Sequence, residues 1–118
     1  MHPKTRYVFT ASMDIQPGKE AIFNELYDTE HVPLLLKVPG VLAATRVKTE
    51  PLTMIIAGER KTITIEGEPQ YSAIYELESA EVLVSEAWAK AVDAGRWVTE
   101  VRPYCSNRRH TLKRVIGQ

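Results

Sequence analysis

Two stretches of strict alternation constrain this chain more than any other feature. Between Arg6 and Ile15, the residues Tyr7, Phe9, Ala11, Met13 and Ile15 fall on one face of an extended segment, with Arg6, Thr10 and Ser12 on the other. The period of two returns between Gln70 and Glu78, where Tyr71, Ala73, Tyr75 and Leu77 share a face. Such a period marks a strand with one buried side. The chain must therefore build a sheet and cover one face of it.

The intervening segments say what covers it. After the Gln16-Pro17-Gly18 turn, Ile22, Phe23, Leu26 and Tyr27 form one apolar helical stripe. Pro33 has no N–H to donate and its ring clashes with the preceding turn, so this helix is expected to end or kink between Thr29 and Val32. A short second turn starts at Pro33 and is stopped by Val38-Pro39-Gly40. Val41 to Thr49 reads as a strand. Pro51 to Pro69 reads as an inserted β-hairpin turning around Gly58-Glu59, whose apolar side needs a partner or its own barrel to bury it. Ser79 and Ser85 are helix N-caps before a stripe of Val84, Ala87, Trp88, Ala91 and Val92, which Gly95 ends. Tyr104 to Ile116 reads as a long strand, polar on both faces.

The order β-α-β-(hairpin)-β-α-β is that of a ferredoxin-like βαββαβ fold of the α+β class, an antiparallel sheet with helices on one face. At 118 residues, one domain spanning 1–118 is expected. The helices leave the second sheet face open, and the alternating apolar faces exceed what two short helices cover. A homodimer joined through the sheet face is the expected remedy.

Charge narrows the partners. Fifteen Lys and Arg balance fifteen Asp and Glu. This argues against a nucleic-acid coat and against a polybasic membrane anchor. Nothing resembles a secretory leader or a membrane span, and the single cysteine, Cys105, forms no intramolecular disulfide, so a reducing cytoplasm is expected. The three histidines, His2, His31 and His110, lack metal-ligand spacing. Neither a glycine-rich phosphate loop nor a GxSxG elbow is present. No metal or cofactor is expected.

The chemistry-bearing residues concentrate in Tyr27-Asp28-Thr29-Glu30-His31-Val32-Pro33. On a helix, Tyr27 and Asp28 both reach the region of His31, being four and three residues away. A carboxylate beside an imidazole can fix its tautomer and raise its basicity. His31 is therefore a candidate base, Asp28 its orienter, and Tyr27 or Tyr75 a donor to a substrate oxygen. The plainer reading makes His31 a strut at the helix end. Arg46 is placed to bind an acidic substrate group, or else is a solvated strand charge. Trp88 and Trp97 are candidates to line a pocket, or else belong to the core. The basic carboxyl-terminal region of Arg102, Arg108, Arg109, His110, Lys113 and Arg114 suits an anion, a dimer seam or a solvated edge strand.

The stretch from Phe23 to Leu35, followed by Val38-Pro39-Gly40-Val41 and Thr45-Arg46, resembles the dimeric α+β barrel superfamily and within it the EthD-like proteins. Tyr71 to Leu77 is similar to their third strand. The resemblance implies a dimeric α+β barrel, while the inserted hairpin departs from the short connection usual there. Relatives include polyketide cyclases, lactone isomerases and monooxygenases. The expected function is a cofactor-independent enzyme acting on a small apolar oxygenated compound by proton abstraction, isomerisation or cyclisation. The alternative is a non-catalytic ligand-binding or accessory protein of a degradation pathway.

Overall fold

The computed structural model describes residues 1–118. The strands are β1 (Tyr7–Ile15), β2 (Val41–Lys48), β3 (Leu52–Ile56), β4 (Glu59–Ile63), β5 (Tyr71–Leu77) and β6 (Cys105–Arg114). The helices are α1 (Glu20–Leu26), α2 (Val32–Leu36), α3 (Glu86–Val92) and α4 (Trp97–Glu100). Four strands form one antiparallel sheet in the order β2-β5-β1-β6, while β3 and β4 form a separate two-stranded ribbon. This is the expected ferredoxin-like α+β architecture with an inserted hairpin. No helix is long and apolar enough to cross a membrane.

The alternation sorts the sheet as the sequence requires. In β5, Tyr71, Ala73, Tyr75 and Leu77 are buried, and opposite them stand Met13, Ala11, Phe9 and Tyr7 of β1. Phe23, Leu26 and Leu35 pack onto this face and complete the core. The apolar faces are thus the ones beneath the helices, and they do not by themselves demand a partner. The open face instead carries Val8, Thr10 and Ser12 beside Ile74 and Ser72, with a 2.7 Å contact between the Ser12 and Ser72 hydroxyls.

Pro33 does not break the first helix. Tyr27–His31 forms a π-helical segment that joins α1 to α2, and the Val32 N–H reaches back five residues to the Tyr27 carbonyl. Pro33 sits in the first turn of α2. The wider turn offers a place for a ring that an ordinary α-turn would drive into a carbonyl. The expected helix end is replaced by this relief.

Ser79 and Ser85 cap as expected, accepting the N–H groups of Glu81 and Trp88. Val84, assigned above to the stripe, lies in the 3₁₀ turn Ala80–Val84 and is exposed. Gly95 does end the segment, with φ of +71°. A side chain there would run into the Glu30 carboxylate.

The hairpin turns one residue earlier than expected, on Ala57-Gly58, with φ of 52° and 80°. Positive φ at both central residues is the tight turn whose twist matches paired strands. All of β3 is exposed, so the hairpin stands clear of its own sheet rather than packing on it. The radius of gyration, 15.9 Å, exceeds the value of about 13.5 Å expected for a compact chain of this length, as a projecting arm requires.

Candidate functional site

Between the helices and the β1–β5–β6 part of the sheet lies a cavity of about 320 Å³. Phe9, Ala11, Met13 and Tyr75 reach it from the sheet. Tyr27, His31 and Leu35 come from the first helical stretch, and Trp88, Val92 and Trp97 from the second. Arg102, Arg108 and His110 complete the wall.

The π-helical segment sets the geometry of the first group. It brings Tyr27 and His31 to the same side, with ring centroids 5.2 Å apart and planes at 85°. His31 then stacks on Trp97, at 4.1 Å and 13°. Tyr27 meets the same indole edge-on at 4.7 Å. Trp97 starts α4, whose approach is fixed by the Glu30 carboxylate, which accepts the Arg96 N–H. One segment thus supplies the imidazole and also pins the loop that carries its stacking partner. On the sheet side, Tyr75 meets Trp88 edge-on at 5.7 Å, and Phe9 stacks on His110 at 5.8 Å.

Burial controls the titrations. His31 is only 6% exposed, and its Nδ1 has no hydrogen-bond partner. Its pKa falls from 6.5 to about 4, chiefly because burial disfavours the cation, with the nearby Arg102 charge acting in the same direction. The imidazole is neutral at pH 7. Burial pushes the Tyr27 phenol up to about 12, and raises Tyr75 as well. Tyr27 and Tyr75 face one another, yet the Tyr75 hydroxyl closes no hydrogen bond. Both phenols keep their protons and remain donors.

Two of the residues chosen from sequence lie elsewhere. The Asp28 carboxylate turns outward and accepts from Arg46 Nη1 at 2.9 Å, while Arg46 Nη2 donates to Asn24 at 2.8 Å. Arg46 lies over the Tyr27 ring, 4.5 Å from its centroid, on the side away from the main cavity. No His31–Asp28 pair forms, because the widened turn sends neighbouring side chains in different directions. Arg46 is already held by two acceptors and an aromatic face, which leaves little for an incoming anion. Tyr27, His31, Tyr75, Trp88 and Trp97 do share one cavity.

Arg102 and Arg108 were read only as part of a basic carboxyl-terminal region. Their place depends on a bulge. Ser12 pairs with Arg109 but Asp14 with Ser106, so Asn107 and Arg108 together oppose Met13. Asn107 takes φ of 50°, and its amide donates to Asp14 and to the Gly67 carbonyl. The extra residue breaks the period of two, so that Cys105, Arg108 and His110 all lie on the helix side. An asparagine within a strand-like run was the available signal.

The sequence matches no protein-family model and no curated protein. Solved structures do share its shape. The heme degrader MhuD from Mycobacterium tuberculosis, with two hemes in its active site, superposes with a TM-score of 0.60 at 15% identity, over 95% of this chain and 97% of that one. A Bacillus cereus protein described as an antibiotic biosynthesis monooxygenase gives 0.55 at 18% identity, over 97% and 94%. An EthD-family protein from Bacillus halodurans gives 0.54 at 14% identity, over 91% and 96%. The EthD-like resemblance is thus met by an EthD-family structure of the same shape, and at these identities the chain shares with all three the ferredoxin-like α+β fold.

Proposed function

We propose that the cleft binds a small, flat, apolar, oxygenated molecule and removes a proton from it without a cofactor, with His31 as the acceptor. The observation that carries this reading is a neutral imidazole, hydrogen-bonded to no carboxylate, in the wall of a cavity lined mostly by aromatic and aliphatic side chains. In the simplest balanced step, a C–H beside a carbonyl gives its proton to His31 and its electron pair moves onto the carbonyl oxygen. The Tyr75 or Tyr27 hydroxyl donates to that oxygen. Return of the proton to another carbon completes an isomerisation. Attack of the new carbanion on a second carbonyl of the same molecule, whose π electron pair moves onto its oxygen and takes back the proton from His31, gives a cyclisation.

Burial sets a condition on this chemistry. An imidazolium is costly here, so proton transfer succeeds only if the enolate forms beside it and pairs with it in the low-dielectric cleft. The same depressed basicity favours the second reading, a protein that retains its ligand without converting it. Aryl ketones whose binding quenches the tryptophans separate the two. In D2O, wild-type protein should exchange the protons next to the carbonyl faster than His31→Asn does, as read by NMR. Binding without any acceleration of exchange would leave the non-catalytic reading.

The structure of MhuD with two hemes makes a porphyrin a necessary control. In this chain His31 lies flat on Trp97, and His110, exposed and stacked on Phe9, is the more accessible imidazole at the wall. A hemin titration that shifts the Soret band and is abolished in His110→Ala would replace the ketone reading.

The same proposal includes a homodimer. Its support is the open sheet face together with an arm whose Leu52, Met54, Ile55 and Ile56 are all exposed in the single chain. The arm lies over the partner in this arrangement.

A further inference from the structure

The charge on the cavity wall is one-sided. Arg102 and Arg108 line it, and no Asp or Glu does. Arg102 is already engaged, donating to the Val92 carbonyl and to the Asp93 carboxylate at 2.8 Å. Arg108 differs. Its Nη2 donates to the Arg102 carbonyl at 2.8 Å, and it joins no ion pair. A guanidinium presents five donors in a planar fork, and a backbone carbonyl leaves most of that fork unused. The bulge at Asn107 is tied down by two hydrogen bonds immediately before Arg108, so the fold sets the backbone from which this side chain reaches the cavity wall.

The apolar part of the wall has a shape of its own. Phe9 and His110 are nearly parallel, at 7°, and Trp88 stands edge-on to both Phe9 and Tyr75. Flat walls of this kind suit a flat ligand. Resting on the binding reading above, we infer that the ligand is a planar aromatic molecule bearing a carboxylate, with its ring among Phe9, Trp88 and Tyr75 and its carboxylate on the free fork of Arg108. A charge-assisted bidentate pair of this geometry fixes the orientation of the ring as well as adding affinity.

Both tryptophans of the chain line the cavity, so intrinsic fluorescence reads its occupancy directly. The probes are 4-nitrobenzoate and its neutral isostere 4-nitrobenzamide, which quench indole. Wild-type protein should bind the acid at least about tenfold more tightly than the amide, as expected for a charge-assisted pair. In Arg108→Gln that preference should vanish while the amide binds as before, with an unchanged melting temperature showing that the fold persists. Added salt should weaken the acid and leave the amide alone. Equal binding of acid and amide by wild type overturns the carboxylate assignment but leaves the cleft as a binding site. Binding of neither overturns the cleft reading itself. A preference that survives in Arg108→Gln overturns the role given to that residue.

Discussion

In the cleft, apolar side chains are buried and polar atoms go short: His31 Nδ1 and the Tyr75 hydroxyl have no partners. In the β3–β4 arm the reverse holds. Its backbone ladder is paired from end to end and the Thr53 and Thr62 hydroxyls meet at 3.0 Å, but Met54, Ile55 and Ile56 face solvent. Each region lacks what the other has. A cavity short of hydrogen bonds is completed by a small oxygenated molecule, whereas an exposed apolar ribbon is completed only by a surface. The two deficits predict different partners, and they can be tested separately.

The arm should give the largest effect. Ile55 is 72% exposed, so changing it to lysine costs the single chain almost nothing. In the proposed dimer it places a charge in an apolar interface. Light scattering at micromolar concentration should report a dimer for wild type and half that mass for Ile55→Lys, with binding in the cleft preserved. A wild-type monomer would remove the partner from the argument.

Trp97→Ala attacks the other side of the comparison. The indole is buried against His31, Tyr27 and Phe23, and its loss should cost about 3–5 kcal/mol in a urea melt. A cost below about 1 kcal/mol, as at an exposed site, would mean that the cleft wall is not packed as described.

Acid gives a smaller effect of definite sign. The His31 pKa is lowered in the folded protein, from 6.5 to about 4, so between these values the unfolded chain binds the proton first. Stability present above about pH 6.5 should fall by about 3 kcal/mol as pH drops through 4. His31→Asn should remove that part of the slope. An unchanged slope in the variant would show that other groups carry the acid sensitivity.

The smallest effect belongs to the bulge. Asn107→Gly keeps the positive φ without strain and loses two exposed hydrogen bonds, for about 1 kcal/mol. Asn107→Val adds the cost of a β-branched residue in the left-handed region, about 1–2 kcal/mol more. If valine is no worse than glycine in melting, residue 107 does not take the left-handed conformation on which the bulge depends.

How much of this was legible in the sequence depended on whether a residue followed its local period. Tyr71 to Leu77 alternate without interruption, and their burial follows from that alone. Ser79 and Ser85 could be read as caps because the chemistry of capping is local. Asp28 was misplaced because its reach to His31 was read from α-helical spacing, and Tyr27–His31 is a π-helix. Arg108 was missed for a similar reason, since a bulge resets the alternation within β6. Both errors fall where the backbone carries one residue more than the regular element allows, and both sites border the cavity.

The π-helical segment separates the survival of the fold from the survival of the site. Phe23 and Leu26 hold the chain to the sheet upstream, Leu35 holds it downstream, and the surplus length is absorbed between them, where Tyr27 and His31 stand. A deletion of one residue within Tyr27–His31 can be met by tightening that turn to an ordinary one, with the anchors on both sides still seated. The imidazole would then leave the face of Trp97. A descendant of this chain can thus lose the His31–Trp97 stack in a single step and inherit the architecture intact, so that shape alone is a poor witness to what the cleft does.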